Sequence, residues 1–222
     1  VIIIEQDSHG KKDPKRTITE IVSPGINIDS NHFSNNVMSV YIECIKDFKS
    51  QKPMVELGLS IADMSTGETS IYETYSAHDD NRYILDEIFR FIQSHSPKEM
   101  IIHTKNIDQI NWDEKSIRKS LEIRNEILHY NFYNSNQDIL KPAYIESLLS
   151  KVFPVTGAIT PIQYIGLDKN PTSLTSFIYL LQFAYEHNDN IISKLTKPVI
   201  WETEKHLILS HDSINQLNLV PN

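Results

Sequence analysis

The chain has 222 residues, 40% of them hydrophobic and 23% charged, and carries a net charge of −8. That is room for one large or two small domains of ordinary globular composition, and the acidic balance excludes a stand-alone nucleic-acid binder built on a basic stripe. The single cysteine, Cys44, excludes an intrachain disulfide and a cysteine-based zinc site and reads as a buried reduced thiol; no run approaches the roughly 20 apolar residues of a membrane span.

Val1-Ile-Ile-Ile-Glu-Gln opens the chain in strand-like character, too short for a signal-peptide core. With no initiator Met, the chain reads as a piece of something longer. Residues 8–16 form a polar, lysine-bearing loop around Pro14. Residues 18–22 alternate as a short strand that Ser23-Pro24-Gly25 ends. Residues 27–36, rich in Asn, Asp and Ser, read as a linker, and residues 37–44 as a β-type run. After Gln51-Lys52-Pro53, residues 56–76 give two strand-like arms around Asp63, Ser65, Thr66 and Gly67. Asp and Ser close local hydrogen bonds there and Gly supplies positive φ, so this is a hairpin.

Residues 81–95 carry Ile84, Leu85, Ile88, Phe89 and Ile92 at helical spacing, with Asp79 or Asp80 as cap. Pro97 stops that helix, and residues 99–104 read as a strand. Trp112, Asp113 and Glu114 open a polar helix to about residue 124. Residues 127–133 alternate as a strand, and residues 142–153 are helical, with Tyr144, Ile145, Leu148, Leu149 and Val152 on one face. Thr160-Pro161 begins a short segment to Leu167. Residues 171–186 are apolar on nearly every side, which predicts a helix buried among other helices. Residues 206–219 read as an extended run and a turn. The order is mixed α/β, an antiparallel hairpin followed by a crossover.

The wording Gly58-Leu-Ser-Ile-Ala-Asp-Met-Ser-Thr-Gly-Glu resembles the hairpin of the connector domain of the MutS family of DNA mismatch repair proteins. Arg16-Thr-Ile-Thr-Glu-Ile-Val-Ser-Pro-Gly-Ile is similar to the segment leading from that family's mismatch-reading domain into the connector. Ser96-Pro-Lys-Glu-Met-Ile-Ile resembles the strand after the connector's first helix, Leu174 to His187 the long first helix of the core, and Lys205 to Leu219 a looser version of a core segment. That looser wording is closer to the divergent branch of large DNA viruses and coral mitochondria. The resemblance implies the end of the mismatch-reading domain and a linker at 1–28, a ribonuclease H-like connector with a mixed sheet flanked by helices at 29–150, and the start of an all-α core, incomplete, at 151–222. It implies that the parent binds mismatched duplex DNA as a homodimer, uses ATP and magnesium, and docks a MutL-like partner, with no membrane. The setting is intracellular, with no choice among cytoplasm, nucleoid, viral factory and mitochondrion.

The chemistry of the parent is absent from these residues. No Phe-x-Glu triplet occurs, and Gly10, Gly25, Gly58, Gly67, Gly157 and Gly166 offer no phosphate-binding loop. The sequence therefore predicts no catalytic, cofactor-binding or metal residue, and no enzyme within this chain. Glu43 and Asp63 are candidates for a two-metal nuclease or resolvase site; the plainer reading is a solvated strand residue and a turn cap. His78, Asp79 and Asp80 are a metal cluster or, more plainly, a helix start favoured by the dipole. Lys11, Lys12, Lys15 and Arg16 touch phosphate or form an exposed loop diluted by Asp7 and Asp13. Trp112 and Trp201 read as packing residues. A plain protein-interaction module is the third function class.

Overall fold

The structure, a computed structural model, describes residues 2–6, 16–26, 35–48, 50–76, 80–121, 129–134, 138–202 and 216–217. Strands β1 (Ile2–Gln6) and β2 (Arg16–Ile21) pair as an antiparallel ribbon. β3 (Asn36–Lys46), β4 (Pro53–Asp63) and β5 (Thr69–Tyr75) then form an antiparallel meander. Helix α1 (Arg82–His95) crosses to β6 (Glu99–Lys105), which lies parallel to β3. A 3-10 turn at Ile107–Ile110 and helix α2 (Glu114–Ser120) lead to β7 (His129–Asn134), parallel to β6. Helices α3 (Pro142–Val152), α4 (Pro161–Ile165), α5 (Pro171–His187) and α6 (Asp189–Ile192) follow, and a two-residue strand, β8 (Val199–Ile200), runs parallel to β5. The sheet order is β7-β6-β3-β4-β5-β8. The chain is thus mixed α/β, with helices on both faces of a mixed sheet.

Strand periodicity sorts the side chains into two layers. Met38, Val40 and Ile42, with Val55, Leu57, Leu59, Met100 and Ile102, face α1 and bury Ile84, Leu85, Ile88, Phe89 and Phe91. The opposite face carries Val37, Tyr41, Ala62, Ile71 and Ile101 under α3, α5 and α6. Helix starts follow local chemistry. Asp80 Oδ1 accepts from Tyr83 N at 3.2 Å, at the head of α1. Asp113 and Ser116 form a capping box on α2, Thr160 and Gln163 another on α4, and Pro142, Pro161 and Pro171 each take a first-turn position.

One expectation is overturned. The sequence predicts that α5 needs further helices to cover it, yet Phe177, Ile178, Leu180, Leu181 and Ala184 are fully buried here. The sheet covers one side, and α3 and α6 pack against α5 beside it. The expected division near residue 150 runs through this single cluster: Leu148, Leu149 and Val152 pack in it together with Phe177, Val37 and Ile71. All-round apolarity reports burial, but it does not say what does the burying. Lys11, Lys12, Lys15, His78, Asp79 and most of the 206–219 segment lie outside the described residues.

Candidate functional site

The groups that tie this chain together converge at one end of the sheet, where the chain runs in and runs out. Upstream, Ser23-Pro-Gly lands on Glu99 at the head of β6. Glu99 is 4% exposed, and its Oε2 accepts from Ser23 Oγ at 2.6 Å and from Gly25 N at 3.1 Å. A Cβ on Gly25 would stand 2.5 Å from Val37 Cγ2 and 2.9 Å from Glu99 Cβ, so glycine is what allows the approach. Beside it, Lys98 Nζ donates to Asn35 Oδ1 at 2.6 Å, and Lys98 N donates to Asn36 O.

The β4–β5 turn stands at the same end. Asp63 N donates to Glu68 O, Gly67 N donates to Asp63 O, and Asp63 Oδ1 accepts from Ser65 N at 2.8 Å and Asn35 N at 3.3 Å. Gly67 has φ +81°, and a Cβ on it would lie 2.1 Å from Lys194 O. The segment after α6 closes over this turn. Thr196 N and Oγ1 both donate to Gly67 O, and Thr69 Oγ1 donates to Thr196 O. Trp201 N then donates to Ile71 O, and its indole packs edge-on against Phe91 and Tyr72. The chain therefore has an upstream latch at Glu99 and a downstream latch at Gly67.

Helix α5 is keyed to the sheet between them. Gly58, midway along β4, admits its first turn: a Cβ there would sit 2.1 Å from Thr172 O and 2.8 Å from Ser173 N. Glu73, the cross-strand partner of Gly58, accepts from Ser173 N at 2.7 Å, and Glu56 accepts from Thr172 Oγ1 at 3.1 Å. Burial pushes the Glu73 carboxyl above its usual range, and the Ser173 hydrogen bonds oppose that shift. These carboxylates meet a helix N-terminus, where backbone N–H groups and the dipole favour them. Further along, Ser176 Oγ lies 3.0 Å from Ser60 Oγ and donates to Ser39 O. Tyr179 stacks on His103 at 3.6 Å between centroids, with Tyr133 on the imidazole at 5.1 Å. His103 Nδ1 is buried with no hydrogen-bond partner, and burial pulls its pKa down to about 4.

The two nuclease candidates do not come together. Asp63 pairs across the strands with Asn36 and Glu43 with Glu56, seven residues apart along β3, so roughly 23 Å separates them. Asp63 caps the turn. Glu43 is tied to Lys105 Nζ at 2.7 Å and to Tyr41 Oη at 2.7 Å. The sheet instead aligns Glu43, Glu56 and Glu73 on one face, which a period-two reading of the strands would have revealed. Each of the three has a cation or donor as partner. Among the described residues no group of three or more His, Cys, Asp or Glu side chains is placed to hold a metal ion. Trp112 and Trp201 are packing residues, partly buried against the α1 layer. Glu99, Gly25 and Gly58 were the residues sequence reasoning missed. A lone Glu heading an apolar strand, and a Gly inside one, were the available signals.

Fold and latches together define a mixed α/β module held at its ends by hydrogen bonds. No protein-family profile matches the chain. It is 29% identical to a DNA mismatch repair mutS homolog of Acanthamoeba polyphaga mimivirus, over 99% of this chain and 21% of the relative. It is 21% identical to the DNA mismatch repair protein MutS of Lachnoclostridium phytofermentans over 97% of its length, and 25% identical to that of Cytophaga hutchinsonii over 93%. All three relatives bear MutS names, and one of them is from a giant virus. It spans about a fifth of the length of the curated relatives it matches. Among the described residues, no helix is long and apolar enough to cross a membrane.

Proposed function

We propose that this chain is the connector region of a MutS-like DNA mismatch repair protein, coupling mismatched-DNA binding to an ATPase that lies elsewhere in the parent. The observation that carries the reading is the alignment of nearly the whole chain with the mimivirus mutS homolog. The strand order supports a ribonuclease H-like connector: a three-strand antiparallel meander, with two parallel strands added beyond its first strand. In this proposal α5 belongs to the connector, and the helical core begins after Ile200. The parent works as a homodimer, binds ATP with magnesium, and offers this module to a MutL-like partner inside the cell. The chain itself is mechanical. A rigid module latched at both ends moves as one body between two arrangements of its neighbours.

The test uses the full-length parent. Glu99→Ala removes the acceptor of the upstream latch without touching any nucleotide or mismatch residue. ATP hydrolysis without DNA should be unchanged, while its response to mismatched duplex should shrink several-fold. An undiminished response in a folded variant would overturn the coupling role. Cleavage of labelled DNA by the purified chain with magnesium or manganese would replace the reading with the nuclease one.

A further inference from the structure

At the opposite end of β3 and β4 from the latches, the sheet ends in a four-residue tip between Asp47 and Lys52. β3 has 11 residues, so the tip stands roughly 33 Å from the latch end. It is a stiff loop. Asp47 N donates to Lys52 O, Gln51 N donates to Asp47 O at 2.9 Å, and Ser50 N donates to Asp47 Oδ2 at 2.7 Å. Gln51 takes φ +56°, and its Nε2 donates to Phe48 O. On this loop Phe48 is 91% exposed. A phenylalanine this exposed on a hydrogen-bonded turn has no packing role among the described residues. Lys46 and Lys52 are exposed beside it, and residues 46–52 hold three lysines against Asp47 in a chain of net charge −8. The Asp47 carboxylate is turned into the loop. On β5, Tyr75 is exposed at the same end of the sheet, about 10 Å along the strand direction from Pro53.

We propose that this tip is a nucleic-acid contact, with Phe48 stacking on an unpaired base and Lys46 and Lys52 on the flanking phosphates. A protruding ring needs a slot or a flat π-face to cover it, and every base offers one. Lysine is depleted at protein–protein interfaces, whereas phosphates select for it. Hydrogen bonds already tie the backbone of Asp47, Ser50, Gln51 and Lys52, so little backbone freedom of these residues is lost on contact. The contact is weak by itself and gains from being held near DNA by the rest of a longer chain. It rests on the tip's own residues and stands whether or not the connector reading does.

The experiment is a low-salt titration of the 222-residue chain with a fluorescent oligo-dT and with a duplex of equal length. Single-strand binding near 10⁻⁴ M is expected, with the duplex weaker. Phe48→Ala should weaken single-strand binding by roughly 5- to 100-fold without moving the melting temperature, while Phe48→Trp preserves it. Lys46→Gln and Lys52→Gln should each flatten the slope of log K against log salt by about 0.7. Binding that Phe48→Ala leaves intact, equal binding of duplex, or no binding by the folded wild-type chain would each overturn the proposal. The last would leave an acid-rimmed pocket on a protein partner as the occupant.

Discussion

Gly58→Ala tests whether α5 is keyed into the sheet or merely rests on it. The added methyl would stand 2.1 Å from Thr172 O and 2.4 Å from Thr172 C. These are backbone atoms, so no side-chain rotation relieves the clash and the first turn of α5 must lift. Overpacking of a filled interior costs about 1–3 kcal/mol. Lifting the turn also strains the bond from Ser173 N to Glu73, a charge-assisted bond of about 1.5–3 kcal/mol when lost outright. Together these predict a loss on the order of 3 kcal/mol. In a domain of this size that lowers the melting temperature by roughly 6–12 °C. Chemical denaturation with hydrogen exchange read along Thr172–Ala184 is the assay. Exchange should rise first in the opening turns of α5. A change below about 0.5 kcal/mol, the level of an ordinary surface substitution, with α5 amides as protected as before, would refute the reasoning.

Three further outcomes follow from other parts of the structure. His103 titrates near 6.5 when unfolded and near 4 when folded, so the unfolded chain binds the proton more readily. Stability is therefore full above pH 6.5 and falls as pH drops toward 4, by about 3 kcal/mol in all; His103→Phe should flatten that slope in pH-dependent denaturation, and an unchanged slope would contradict the assignment. Asp63→Ala loses the acceptor for Ser65 N and Asn35 N and should cost on the order of 1 kcal/mol, read by thermal melting; a nuclease role would instead appear as lost metal-dependent cleavage at unchanged stability. The chain should show no nucleotide affinity, since it has no phosphate-binding loop, and micromolar ATP binding in a calorimetric titration would overturn this.

The parts of the fold that were legible were those with local causes. The hairpin follows from Asp63 and Gly67, α1 from five apolar residues at helical spacing, and β6 from Pro97 followed by Met-Ile-Ile. Helix α5 was legible as a helix but not as a partner of the sheet, because a 3.6-residue period shows which faces are apolar and not what covers them. The two-residue β8 is too short to leave a pattern; its place depends on Thr196 and Trp201 meeting Gly67 and Ile71, more than 120 residues away in sequence. The latch at Glu99 was hidden for the same reason, since Ser23 and Gly25 reach it across 76 and 74 residues. Asp63 was read correctly as a turn cap. Glu43 was read as solvated, and the neighbouring strand instead supplies Lys105 as its ion-pair partner.

The rigid-body claim is tested most directly by two spin-label distances in the full-length parent. One joins Ser50 at the tip to Ser65 at the latch end. The other joins Ser50 to the same position in a second protomer. With mismatched duplex and ATP the second distance should change by several ångströms while the first stays fixed. A shift in the Ser50–Ser65 distance, or no shift in either, would contradict a module that transmits motion by moving whole.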